Sequence, residues 1–221
     1  RKENIPIAVL QRLANCSLSP VPLFEDVELT DSMIADSGRL TAFFRILDDI
    51  AARREKVVVF VQHFDVQDVV ARAIRARYGL DHMPGKINGT MPPAARQRVV
   101  TEFQDGRPGF DAVVLTGRAA GTGLTLTAAN HVVHLERWWN PAVEDQCSDR
   151  VYRIGQTKDV MVHVPLAVFR EEVDPADSPF DVTLHQFLER KRSRSQSVLA
   201  PSSSGKGDQE FIESFFGQKA D

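Results

Sequence analysis

The sequence predicts a parallel α/β sheet covered by helices, and three observations carry that prediction. Short valine-rich runs recur along the chain, segments with helical apolar spacing lie between them, and the two kinds alternate. Strands separated by helices need crossover connections, which favour a parallel sheet.

Residues 5–16, IPIAVLQRLANC, place Ile5, Val9, Leu13 and Cys16 at helical spacing, and Pro20 and Pro22 end that helix. After an acidic connector, Ser37-Gly38 precedes Leu40, Phe43, Phe44, Leu47 and Ile50, a second amphipathic helix. KVVVFV (56–61) reads as a buried parallel strand, and a further helix pattern runs from Val66 to about Ala76. GKING (85–89) is a strand candidate, and Pro92 and Pro93 open a helix through Val99, Val100 and Phe103. DAVVLT (111–116) is a strand, GRAAGTGLTL a glycine-bearing turn, and HVVHLE (131–136) another strand. Pro141 is expected to start a helix reaching about Tyr152, and DVMVHVPL (159–166) to form the last strand. Beyond Pro179, residues 180–199 read as one long helix with a basic second half, and APSSSGKG (200–207) has a linker's composition.

Composition narrows the function. Hydrophobic residues at 43% and charged residues at 26% suit a soluble globular protein, and the net charge of -3 argues against a wholly basic nucleic-acid coat. Local basic patches remain compatible with it. Cys16 and Cys147 suggest neither a disulfide framework nor a zinc site, so a reducing cytosol is the expected setting. There is no apolar run near membrane-spanning length and no signal-peptide pattern. The chain begins at Arg1 and reads as a piece of something larger.

Three loops after predicted strands hold candidate chemistry, because ligands of open α/β sheets collect beyond the strands' carboxyl ends. TGRAAGTG can expose backbone amides to an anion, although a plain strand-to-helix turn also wants glycine. In ERWWNP (136–141), Trp138 suits core packing, whereas Trp139 divides evenly between core and a stacking role on nucleic acid. VEDQCSDRVYRIGQ (143–156) sets Arg150 and Arg153 three positions apart, with Gln146 four before Arg150. Guanidinium groups are fixed bidentate donors for phosphate. By itself, however, the stretch reads as a solvated face whose arginines pair with Glu144, Asp145 and Asp149. No phosphate loop or magnesium-binding acidic box occurs, and the six histidines lack ligand spacing; His131 and His134 should point to opposite sheet faces.

In register, these segments resemble the second RecA-like lobe of the Swi/Snf-family ATPases of helicase superfamily two. The bacterial branch, with its RWWNPA and RIGQ patterns, is most similar. SGRL (37–40), KVVVFVQ (56–62) and INGTMPPAARQRVVTEFQ (87–104) extend the likeness over most of residues 8–170. The resemblance implies a RecA-like parallel sheet flanked by helices with a C-terminal helical extension. It divides the chain into a leading helix and connector (1–36), the lobe (37–170), a bracing helix (171–199) and a tail (200–221).

The resemblance also implies roles. Arg150 and Arg153 match the motif that reaches ATP held on the first lobe, and Gln146 helps organise that interface. Gly121, Gly123 and Arg118 match the motif linking the nucleotide cleft to the DNA backbone. Trp139 matches a tryptophan beside the DNA track, and Thr90, Gln62 and Arg96 fall near strand phosphates. ATP and Mg2+ are expected to be held mainly by the first lobe, with double-stranded DNA, the N-terminal RecA-like lobe and a remodelled DNA-bound protein as partners and no membrane. The bacterial nucleoid is the implied location. Ala120, Thr125 and Gly117 depart from the family pattern. A non-catalytic interaction module and a lobe of a strand-separating helicase are the rival readings.

Overall fold

A computed structural model of the protein describes residues 7–24, 26–116, 123–169 and 178–197. Five strands, β1 (Lys56–Val61), β2 (Gly85–Ile87), β3 (Asp111–Thr116), β4 (His131–His134) and β5 (Met161–His163), form one sheet in the order β2-β3-β1-β4-β5. Every pairing is parallel. The helices are α1 (Ile7–Leu18), α2 (Asp31–Ala35), α3 (Gly38–Ala52), α4 (Phe64–Tyr78), α5 (Pro93–Asp105), α6 (Pro141–Ser148) and α7 (Phe180–Ser197).

The valine runs become the central strands because both faces of a parallel sheet are covered. Val57, Val59 and Val61 of β1 pack with Phe43, Leu47, Val70 and Ile74 of α3 and α4. Val58 and Phe60, on the opposite face, meet Val100 and Phe103 of α5 and Cys147 of α6. The cores differ by one position along each strand, so a slip of one residue would exchange them. Burial pushes the Cys147 thiol up to about 12, leaving it inert packing.

A third cluster joins Leu10 of α1 to Leu184, Phe187 and Leu188 of α7. It is tied to the sheet lobe through Asp181, which is 2% exposed. Arg39 Nε donates to its Oδ2 at 2.8 Å, Ser17 Oγ to its Oδ1 at 2.5 Å, and the Ala167 amide to its Oδ2 at 2.8 Å. The two terminal helices are therefore fixed to α3 by one buried carboxylate.

Several boundaries differ from the sequence reading. Helix α2 was not expected; Thr30 accepts the Met33 amide and starts it inside the acidic connector. Strand β5 is shorter than 159–166, being an edge strand paired only to β4. His131 and His134 do face opposite ways, His131 toward Glu55 and His163, His134 stacked on Phe60. No described helix is long and apolar enough to cross a membrane.

Candidate functional site

The expected helix through Tyr152 is not formed, and Arg150 and Arg153 do not share a helix face. Helix α6 stops at Ser148, where the hydrogen bonding tightens: the Arg150 amide donates to Cys147 O at 3.1 Å and Val151 to Ser148 O at 3.0 Å. Contacts from residues 123–129 then draw the chain away from the helix axis. The Leu126 amide donates to Arg150 O at 2.9 Å, and Gln156 Nε2 donates to Thr127 O at 3.2 Å and Ala129 O at 2.6 Å. Gly155 completes the turn at φ +101°, a region costly to residues with a Cβ.

This turn places both arginines against the segment that follows β3. Arg153, exposed, donates from Nη1 to Gly123 O at 3.2 Å and Thr125 Oγ1 at 3.3 Å. Gly123 itself sits at φ +72°. Arg150 is half-buried, and its Nε is fully buried with no hydrogen-bond partner among the described residues. Neither arginine forms an ion pair among those residues.

Two of the three acids that could have neutralised them, Glu144 and Asp145, are engaged elsewhere, and Asp149 is exposed and forms no ion pair among the described residues. Glu144, 2% exposed, receives Arg137 Nε at 2.7 Å and Nη2 at 2.9 Å, and Arg192 Nη2 at 3.2 Å. Burial pushes the Glu144 carboxyl up, but the hydrogen bonds and positive charge of Arg137, the field of His134 and the Trp138 amide together hold the group below its ordinary value. Asp145 takes Arg192 Nε at 3.1 Å. Arg192 belongs to the basic half of α7, so that stretch braces α6. Arg137 Nη1 also donates to His185 Nδ1 at 2.7 Å.

A second group forms at the carboxyl ends of β1 and β4. Gln62, His63, Glu136, Arg137 and Trp139 line one small gap of about 20 Å3, next to Arg39. The Gln62 amide donates to Glu136 Oε2 at 2.6 Å, and the Gln62 side chain donates to Arg137 O. Trp139 is half-buried and packs against the α1–α7 cluster. Trp138 is also half-buried, and its indole nitrogen has no partner among the described residues.

The other predicted residues are scattered or outside view. Thr90, exposed, donates from Oγ1 to Asn88 Oδ1 at 2.8 Å. Arg96 is bound to Met91 O by Nε at 3.0 Å and Nη2 at 2.8 Å, so its guanidinium shapes the loop before α5. Gln146 is exposed on α6. Arg118 and Gly121 lie outside the described residues. Sequence reasoning missed Glu136 and the pairing of Arg137 with Glu144; the signal for Glu136 and Arg137 was that charged residues follow directly on an otherwise apolar strand. Among the described residues no group of three or more His, Cys, Asp or Glu side chains could hold a metal ion.

Known proteins are similar to this chain in sequence and fold. Residues 39–155 match the helicase conserved C-terminal domain. The Zorya protein ZorD of Escherichia coli O139:H28 (strain E24377A / ETEC) is 35% identical over 188 residues, covering 82% of this chain and 16% of that protein. YwqA of Bacillus subtilis (strain 168), a putative ATP-dependent helicase/translocase, is 33% identical over 176 residues, covering 79% and 18%. The chain thus spans 16% and 18% of these curated relatives' lengths. The Sulfolobus solfataricus SWI2/SNF2 ATPase core, solved in complex with dsDNA, superimposes with a TM-score of 0.69 at 27% identity. That match covers 95% of this chain and 41% of the other.

Proposed function

Because the chain belongs to the Snf2-like family of helicase superfamily two, as its C-terminal RecA-like lobe, we propose that it is the second motor lobe of an ATP-dependent translocase. In this reading the motor tracks on double-stranded DNA and remodels protein–DNA complexes in the bacterial cytoplasm, at the nucleoid. The observation that carries it is the pair of arginines that, among the described residues, are left without carboxylate partners while both arginines of the brace have one.

A buried guanidinium nitrogen with no acceptor is costly unless an anion completes it. Among the described residues Arg150 supplies that orphaned donor, and Arg153 is held by a carbonyl and a hydroxyl alone. Both therefore fit a phosphate. ATP with Mg2+, held mainly by an N-terminal RecA-like lobe, supplies the phosphoryl chemistry when bound. This chain's part is to present preorganised positive charge to oxygens that gain charge during transfer, a contribution on the order of 10³–10⁵ in rate. Gln146 helps organise that interface from α6. Tyr152 and Ile154, at 72% and 103% exposure, give the turn an apolar tip that a facing lobe would cover.

Hydrolysis then depends on lobe closure, which couples chemistry to movement. Gln62, Thr90, Arg96, Arg118 and Trp139 are assigned to the duplex side, and Gly121 and Gly123 to the nucleotide side. Contacts to phosphates would make tracking independent of sequence and sensitive to salt.

The test is ATP hydrolysis by the full-length protein with and without duplex DNA, beside triplex displacement and unwinding of a tailed duplex. Duplex-stimulated hydrolysis with triplex displacement is expected. Unwinding without displacement would favour a strand-separating helicase, and no hydrolysis in either condition would leave an interaction module.

A further inference from the structure

His63 stands at the carboxyl edge of the central strand, between Gln62 and the first residue of α4, with its side chain 49% exposed. Its Nδ1 lies 2.8 Å from Glu136 Oε1. Glu136 is 6% exposed and also accepts the Gln62 and His63 amides through Oε2, at 2.6 Å and 3.4 Å. Among the described residues no lysine or arginine pairs with Glu136, so His63 is the one group there that can balance its charge. The other charges around this gap, Arg39 and Arg137, are committed to Asp181 and Glu144. Asp65, on the first turn of α4, adds a second negative field at His63.

A carboxylate can only accept, so the proton of neutral His63 resides on Nδ1 and its outer nitrogen, Nε2, presents a lone pair. A lone pair repels a phosphate oxygen. Only the imidazolium, with a proton on each nitrogen, can donate outward while keeping Glu136. We propose that His63, positioned by Glu136, is a proton-gated phosphate contact of the duplex interface, so that DNA binding takes up one proton at this residue. The inference rests on assigning this strand-end face to duplex DNA. The Glu136 hydrogen bond raises the affinity of His63 for that proton despite partial burial, which brings the gate toward neutral pH.

The test is anisotropy of a short labelled duplex with the complete protein, without nucleotide, at fixed ionic strength between about pH 8 and about pH 6. Affinity of the unaltered protein should tighten by about threefold to tenfold on acidification, as one linked proton allows. His63→Gln, at a half-exposed position, should flatten that difference and bind as weakly at the lower pH as at the higher. His63→Lys should bind tightly at both. Gln62→Ala should weaken binding at both while keeping the slope. A slope unchanged in His63→Gln overturns the gate but leaves the duplex interface standing. Failure of the unaltered protein to bind duplex at either pH overturns the interface assignment and the gate with it.

Discussion

Two sets of arginines lie on either side of α6, and the structure treats them differently. Arg137 and Arg192 converge on Glu144, a carboxylate almost wholly removed from water, and between them fix α6 to the strand end and to α7. Among the described residues Arg150 and Arg153, on the turn beyond the same helix, meet only carbonyl and hydroxyl oxygens or nothing. One set satisfies charge within the chain. The other leaves positive charge available to something outside it. Net charge is blind to the distinction; what matters is which acid each arginine reaches.

Breaking the braced set should have the largest effect on stability. Glu144→Ala leaves two guanidinium groups facing a buried void and should cost about 3–5 kcal/mol, read from urea midpoints. A loss below about 1 kcal/mol would mean that the brace is no more than a surface pair. Acid should loosen the same region next. Burial lowers His134, whose Nε2 lies 3.0 Å from Ser148 Oγ of α6, from 6.5 to about 4. The unfolded chain takes that proton near 6.5 and the folded one resists it. Stability is therefore full at neutral pH and falls as pH drops from about 6.5 to about 4, by on the order of 3 kcal/mol. Comparing urea midpoints across that range for the unaltered protein and His134→Gln should isolate the slope; equal slopes would refute it.

Effects on the unpaired side should be smaller. Gly155→Ala forces a side chain into the left-handed region and should cost about 1–2 kcal/mol in thermal unfolding. Arg153→Ala removes only exposed hydrogen bonds and should change stability by less than about 0.5 kcal/mol. A larger loss would place Arg153 among the structural arginines.

These contrasts also mark what the sequence can disclose. The strands were legible because Val57–Val61 and Ala112–Leu115 must be apolar on both faces of a parallel sheet. The arginine turn was legible only as spacing, and spacing misled: tertiary hydrogen bonds from Leu126 and Gln156 end the helix that periodicity would continue. The pairing of Glu144 with Arg192, 48 residues away, depends on α7 docking, which no local pattern encodes. Hence the acids of VEDQCSDR looked like partners for Arg150 when Glu144 and Asp145 belong to α7's side. Glu136 was hidden for the same reason, since its role comes from the meeting of two strand ends.

The proposed role of Arg150 is to complete an ATP site held by another lobe. It is tested most directly by duplex-stimulated ATP hydrolysis of the full-length protein carrying Arg150→Ala, with ATP affinity and urea stability measured on the same material. A fall in turnover on the order of 10³ or more is expected, with folding intact and ATP still bound. Turnover within about tenfold of the unaltered protein would contradict it.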